Sequence, residues 1–236
     1  MIKAKDNFEN GYFWEYYMDL ERQFIDFMNY VPYLEGNENV YSFRLMNLIL
    51  AIGAHVDSAF KEIFRFPEFS TKYEAIFKKV KRGKATITNY RELDKEYSLS
   101  KRQVMFKCLP ERESIIPFQL FADDKSPKWW SSYNKIKHEF SKNFKKATYK
   151  TARDALAGAF LLNVIHEPAI IRLYEYGIAK ENYKPRINEY GLEETIGKEG
   201  LKHYLKEGMT PSIHVETVLF VFKFESVDNN SIEKYW

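Results

Sequence analysis

The chain has 236 residues, 36 of them basic and 33 acidic, so its formal charge of +3 argues neither for nor against a nucleic-acid partner. Hydrophobic residues at 45% and aromatic residues at 17% exclude general disorder and supply enough apolar surface for one ordinary domain. Cys108 is the single cysteine, which excludes an internal disulfide and fits a reducing, cytoplasmic compartment.

The opening residues MIKAKDNFENGYFWEY carry charges and no apolar segment, so a secretory signal is not expected there. A first helix is predicted from about Tyr12 to Tyr30, ended by Pro32. A second, from about Tyr41 to Phe66, is the most apolar segment and is expected at the centre of a bundle. Its polar residues Arg44, Asn47, His55, Ser58, Glu62 and Arg65 recur at three- and four-residue steps and read as one solvated stripe. Within it LMNLILAIGAHV is too short and too interrupted to cross a bilayer, where roughly 20 apolar residues are needed, so no membrane association is expected. Asp57 points away from that stripe and is predicted to be a buried, hydrogen-bonded acid, because a buried carboxylate needs a partner.

A short basic helix is predicted over 70–82, closed by Gly83. Between 84 and 122 the periodicity changes. RQVMFKCL and IIPFQLF read as two short extended segments around the polar PERES, giving a β-rich insert. Ser126 and Pro127 are expected to start a third helix reaching about Lys142. A fourth runs from about Ala147 to Ile165, with Ala152, Ala155, Ala157, Gly158 and Ala159 suited to close helix packing, and Pro168 kinks or restarts it. Beyond Gly177 a helix near 200–207 and one strand, HVETVLFVFKF, complete an α+β extension over 177–236. The expected fold is a single, mostly α domain. It has a four-helix-bundle core (about 12–82 and 126–176) with the small β insert and C-terminal strand packed on it.

Metal and nucleotide motifs are absent: there is no HExxH, no glycine-rich phosphate loop and no paired-cysteine signature, so no metal or cofactor is expected. The strongest chemical signal is WWSSYNKIKHEF, residues 129–140. At 100° per residue Trp129, Tyr133, Ile136 and Phe140 share a buried stripe, while Asn134 and His138 project at roughly 140° and 180° from it. Trp130 falls between the two sides and is expected to be free to stack. His138 is placed to exchange a proton near neutral pH, with Asn134 orienting it, and the ordinary alternative is a pair of solvated polar residues. Between 125 and 150 the chain holds eight lysines against the single acid Glu139. Lys128, Lys135, Lys137 and Lys142 are the expected phosphate contacts, with Trp130 stacking on a base; a merely solvated lysine face is the bland reading.

A helical core with this Asn134/His138 pair on its third main helix resembles the HEPN superfamily of prokaryotic defence and toxin proteins, over roughly 12–66 and 126–175. The resemblance implies a homodimer that brings two such motifs together, and metal-independent endoribonuclease chemistry on RNA. It departs at the family's arginine, whose place falls on Ser131, Ser132 or Tyr133. Lys135 or Lys137 can replace its charge but not its bidentate fork. Two readings therefore stand. One is an HEPN-like, RNA-directed protein in which His138 is general acid or base. The other is a catalytically silent helical module that binds a protein partner.

Overall fold

The structure, a computed structural model, describes residues 11–108, 113–181, 186–187, 193–194, 197–206 and 213–223. Residues 1–10, most of the PERES segment, Glu207 and Phe224 lie outside them. In chain order the elements are α1 (Tyr12–Met28), α2 (Phe43–Ile63), α3 (Pro67–Lys72), α4 (Glu74–Lys81), α5 (Ile87–Tyr90), α6 (Asp94–Tyr97), β1 (Val104–Phe106) and β2 (Glu113–Ile115). There follow α7 (Lys128–His138), α8 (Phe140–Asn143), α9 (Tyr149–Ile165), α10 (Glu167–Glu175), β3 (Ala179–Glu181), β4 (Arg186–Ile187), β5 (Glu193–Glu194), α11 (Gly197–Lys206), β6 (Ile213–Glu216) and β7 (Phe220–Lys223). The protein is mostly helical with one five-stranded antiparallel sheet.

Local chemistry sets the helix starts. Ser42 accepts from the Leu45 amide at 3.1 Å and begins α2; Thr148 accepts from the Thr151 amide at 3.1 Å and begins α9. The third main helix starts differently from expectation: Pro127 occupies its cap position, with no side-chain cap from Ser126. Pro168 does restart the fourth helix, and α9 and α10 meet at 82° around His166.

The centre of the molecule is α9 rather than α2. α9 buries residues around its whole circumference, including Ala155, Ala157, Gly158 and Ala159, and packs against α1, α2, α7 and α10 and against β1 and β7. α2 lies beside it and leaves Arg44, Asn47, Ser58 and Arg65 exposed, as the polar stripe requires. His55 departs from that stripe: it is buried at 3% exposure because Asn163 of α9 supplies a hydrogen-bonding partner at 2.8 Å. α2 has 21 residues, fewer than the expected 41–66, and by length and composition alone it could cross a membrane, which the run LMNLILAIGAHV was expected to exclude; its apolar positions pack against α1, α7 and α9.

The sheet order is β2-β1-β7-β6-β3. Two expectations change here. The segment HVETVLFVFKF is a hairpin, not one strand: Thr217 turns the chain, with its amide donating to the Phe220 carbonyl at 2.8 Å. Val218 is consequently exposed at 64% while Phe220 and Phe222 are buried. The sheet also recruits β3, which pairs Ala179 with Val215 outside both predicted strand regions. The insert, for its part, carries helical turns (α5, α6 and the 3-10 turn Gln119–Asp123) beside its two strands.

The hairpin is tied to α1 through Glu21, 1% exposed, whose Oε1 accepts from the Tyr17 hydroxyl at 3.1 Å, the Leu219 amide at 3.2 Å and the Thr217 hydroxyl. Burial pushes this carboxyl above its ordinary value of 4.5. The folded chain thus keeps the proton where the unfolded chain has lost it. The contribution to stability is full below the ordinary value and declines as pH rises through the raised one. Glu21→Gln keeps the accepting oxygen and removes the ionisation. Subtracting its melting-temperature profile from the wild-type profile is expected to leave a decline across that window. A flat difference would show that Glu21 does not titrate with folding.

Candidate functional site: the face of α7

α7 is held by two aromatic side chains set into notches of its neighbours. Tyr133 lies against Gly53 of α2, and Trp129 lies against Gly158 of α9. The Trp129 indole also donates to the Pro117 carbonyl at 2.8 Å, fixing the helix to the insert. Trp129, Tyr133 and Ile136 are buried, as their spacing predicts. Because the helix is wedged between two partners, the buried arc is wider than a single stripe. Trp130 is therefore buried as well, at 4% exposure, between Trp129 and Tyr133 with ring centroids at 5.6 and 5.2 Å. It is not free to stack on a base.

The helix stops earlier than predicted. Glu139 adopts φ −144° and ψ 65°, and the Asn143 side-chain amide donates to the carbonyls of Lys135 at 3.2 Å and Glu139 at 3.0 Å. That amide supplies partners which the last turn of a helix lacks. The break turns Phe140 out of the buried stripe, and it is exposed at 56%. Asn134 is half-buried and His138 exposed, one turn apart on the same side of α7. Asp57 forms the predicted hydrogen bonds, to the Tyr90 hydroxyl at 2.8 Å and to Lys61, but its side chain stays 27% exposed rather than fully buried. Its distant partner comes from the insert, not from α7 or α9.

All eight lysines of this region are exposed. Lys142 pairs with Glu139 at 3.1 Å, Lys150 with Glu38 at 3.0 Å, and Lys125 approaches Asp123 at 3.9 Å. Among the described residues Lys128, Lys135, Lys137, Lys145 and Lys146 have no acidic partner, so their charge is available to an anion.

An aromatic platform that the sequence reading missed stands beside these lysines. The 3-10 turn Phe144–Lys146 follows α8 and packs against α7. The Tyr149 amide donates to the Val40 carbonyl at 2.9 Å and Tyr41 bridges to Thr148, which brings the start of α2 onto that turn. Phe43 then stacks on Phe144 at 4.4 Å and 27°, with Tyr41 edge-on to Phe144 at 5.4 Å. Phe43 is exposed at 63% and Tyr41 at 42%. The signal was present: Phe43 lies one turn before Asn47, on the exposed stripe of α2.

The buried histidines do different work. Burial holds His55 down to about 4 and His166 down to about 3, so both are neutral. Neither supplies a proton near neutral pH, and His138 is the histidine of this face. Among the described residues no group of three or more His, Cys, Asp or Glu side chains gathers as a metal site would require. Comparison with family models, curated proteins and solved structures gives no match to any of the three.

Proposed function

We propose that the protein is a cytoplasmic, HEPN-like protein that binds single-stranded RNA on the face formed by α7, the Phe144–Lys146 turn and the start of α2. We read its helical core as the four-helix bundle of that superfamily, built from α1, α2, α7 and α9. The observation that carries the reading is the stack of exposed Phe43 on half-buried Phe144, flanked by Lys145 and Lys146, with Lys128, Lys135 and Lys137 on the adjoining helix lacking an acidic partner among the described residues. Unpaired lysines release counterions when they meet phosphates, and an exposed ring accepts any base by stacking. A homodimer would bring two Asn134/His138 pairs together, His138 serving as general acid or base and Asn134 orienting it.

The test is fluorescence anisotropy with a labelled oligouridine over a salt series. Affinity is expected to fall steeply with salt. Phe43→Ala should weaken binding about tenfold, as loss of one stacked base implies. Lys145→Gln with Lys146→Gln should flatten the salt dependence. Salt-independent binding, or none, would overturn the reading. Cleavage lost in His138→Ala would add the ribonuclease step; absence of cleavage in the wild type would leave an RNA binder. The exposed apolar rings Phe43 and Phe140 also suit a protein partner, and capture that is insensitive to both salt and RNA would favour that second reading.

A further inference from the structure

A cavity of about 220 Å³ lies away from the α7 face, between the start of α1 and the α9–α10 bend. Trp14, Ala169, Leu173 and Ile178 give it apolar walls, and Asn163 and Arg172 stand in the same lining. Asn163 is buried at 2% exposure. Its Nδ2 donates to the Ala159 carbonyl at 2.8 Å and meets His55 Nε2 at 2.8 Å. The Ala159 carbonyl accepts only, so the amide cannot be turned round. The same NH2 group therefore faces His55, whose Nε2 must be the accepting nitrogen, and burial keeps that imidazole neutral. Both hydrogens of the amide are thus spent, and its Oδ1 has no partner among the described residues.

The second polar atom is a donor. Arg172 gives a bond from Nη1 to Glu175 at 3.2 Å and lays its guanidinium 4.2 Å from the Tyr176 ring centroid. This stacking fixes the plane of the fork, and Nε is buried without a partner among the described residues. Leaving two such groups unpaired in a low-dielectric wall costs free energy that a matching molecule would recover. Charge narrows the match. The cation of Arg172 is met by Glu175, which also takes Lys198, and Glu15 stands in the lining. The wall thus offers no uncompensated positive charge to an anion.

We propose that this cavity is a binding site for a small, uncharged, mostly apolar molecule that presents one hydrogen-bond donor to Asn163 Oδ1 and one acceptor to Arg172 Nε, as a primary carboxamide on an aromatic ring does. The site is independent of the RNA-binding face. About 220 Å³ exceeds the roughly 150 Å³ of an engineered cavity that holds benzene, so one substituted ring fits with little to spare.

Ligand-observed NMR titration of the full chain with benzamide, benzoate and toluene tests the proposal. Benzamide is expected to saturate the site at roughly millimolar concentration, the range that ligand-efficiency limits allow a molecule of its size. Benzoate, which brings charge and no donor, and toluene, which brings neither polar group, should each bind at least tenfold more weakly. Ala169→Leu fills the cavity and should reduce benzamide affinity tenfold or more. Arg172→Met keeps the stem, removes the donor and should reduce it severalfold, which keeps the test open if the leucine variant does not fold. The His55 Nε2 nitrogen shift should move on titration, because its hydrogen-bond partner is the amide that receives the ligand. Failure of the wild type to bind benzamide would overturn the proposal. So would equal binding of benzoate or toluene, or unchanged affinity in a folded Ala169→Leu chain.

Discussion

Gly53→Ala is expected to destabilise the protein by about 3 kcal/mol, at the upper end of what overpacking a core costs. In an exposed helix the same change would stabilise by up to about 1 kcal/mol, since alanine is the better helix former. Here a Cβ would stand 2.6 Å from Cγ of Tyr133, with two further ring carbons closer still. The ring cannot retreat easily, because Tyr133 is 4% exposed and Trp130 packs against it at 5.2 Å between centroids. The clash therefore exceeds the propensity gain. Urea denaturation of the two proteins measures the difference. Tyr133→Leu placed in the alanine chain should recover part of the loss, a non-additivity that marks the two residues as neighbours. A rise in stability on Gly53→Ala would show that α7 does not seat there.

Arg153→Met is expected to cost about 3 kcal/mol, the lower end of the range found when one member of a buried ion pair is removed, because Asp154 keeps 26% of its side chain exposed. Arg153 is 2% exposed on α9. Its Nε and Nη2 donate to Asp154 at 2.9 and 2.7 Å, and its Nη1 donates to the Tyr33 hydroxyl at 2.6 Å and to Glu113. Burial already pushes the Asp154 carboxyl above its ordinary value, so taking away the guanidinium leaves it still less favourably placed as an anion. Glu113, 44% exposed, is closer to water and contributes little to the cost. Methionine fills most of the volume, so the loss reports charge and hydrogen bonding more than packing. A change below about 1 kcal/mol, the scale of surface ion pairs, would place the cluster in solvent.

The long helices were legible because their signals are local. Apolar residues recur at helical spacing, and Pro168 ends a run that its neighbours would have continued. The hairpin was not. Val218, Phe220 and Phe222 alternate straight through the turn, and only the Thr217 side chain, donated to by the Phe220 amide at 3.1 Å, signals the reversal. β1 lies within the expected extended run RQVMFKCL and pairs locally with β2, but its second partner β7 is more than a hundred residues away, and no short-range pattern announces that pairing. On the candidate site, the spacing of Trp129, Tyr133 and Ile136 located the buried side. Trp130 and Phe140 were misplaced for two separate reasons. A wedge between two helices buries more than one stripe, and the break at Glu139 is made by the Asn143 side chain without a glycine or proline to announce it. His55 followed the polar period of α2, and only the Asn163 amide from another helix makes its burial tolerable.

The strand order also sets a timetable. β7 and β6 occupy the middle of the sheet, between β1 from the insert and β3. On a ribosome, residues 213–223 emerge after every other strand of this sheet has been made. Until then β1 can pair only with β2, β3 has no neighbour in this sheet, and the Glu21 carboxylate on α1 lacks the Thr217 and Leu219 donors that satisfy it. The helices can form and collect while the nascent chain lengthens, but the two halves of the sheet must wait for the hairpin to slide between them. Completion of the sheet thus waits for the synthesis of residues 213–223, with unpaired strand edges as the surface most in need of protection in the interval.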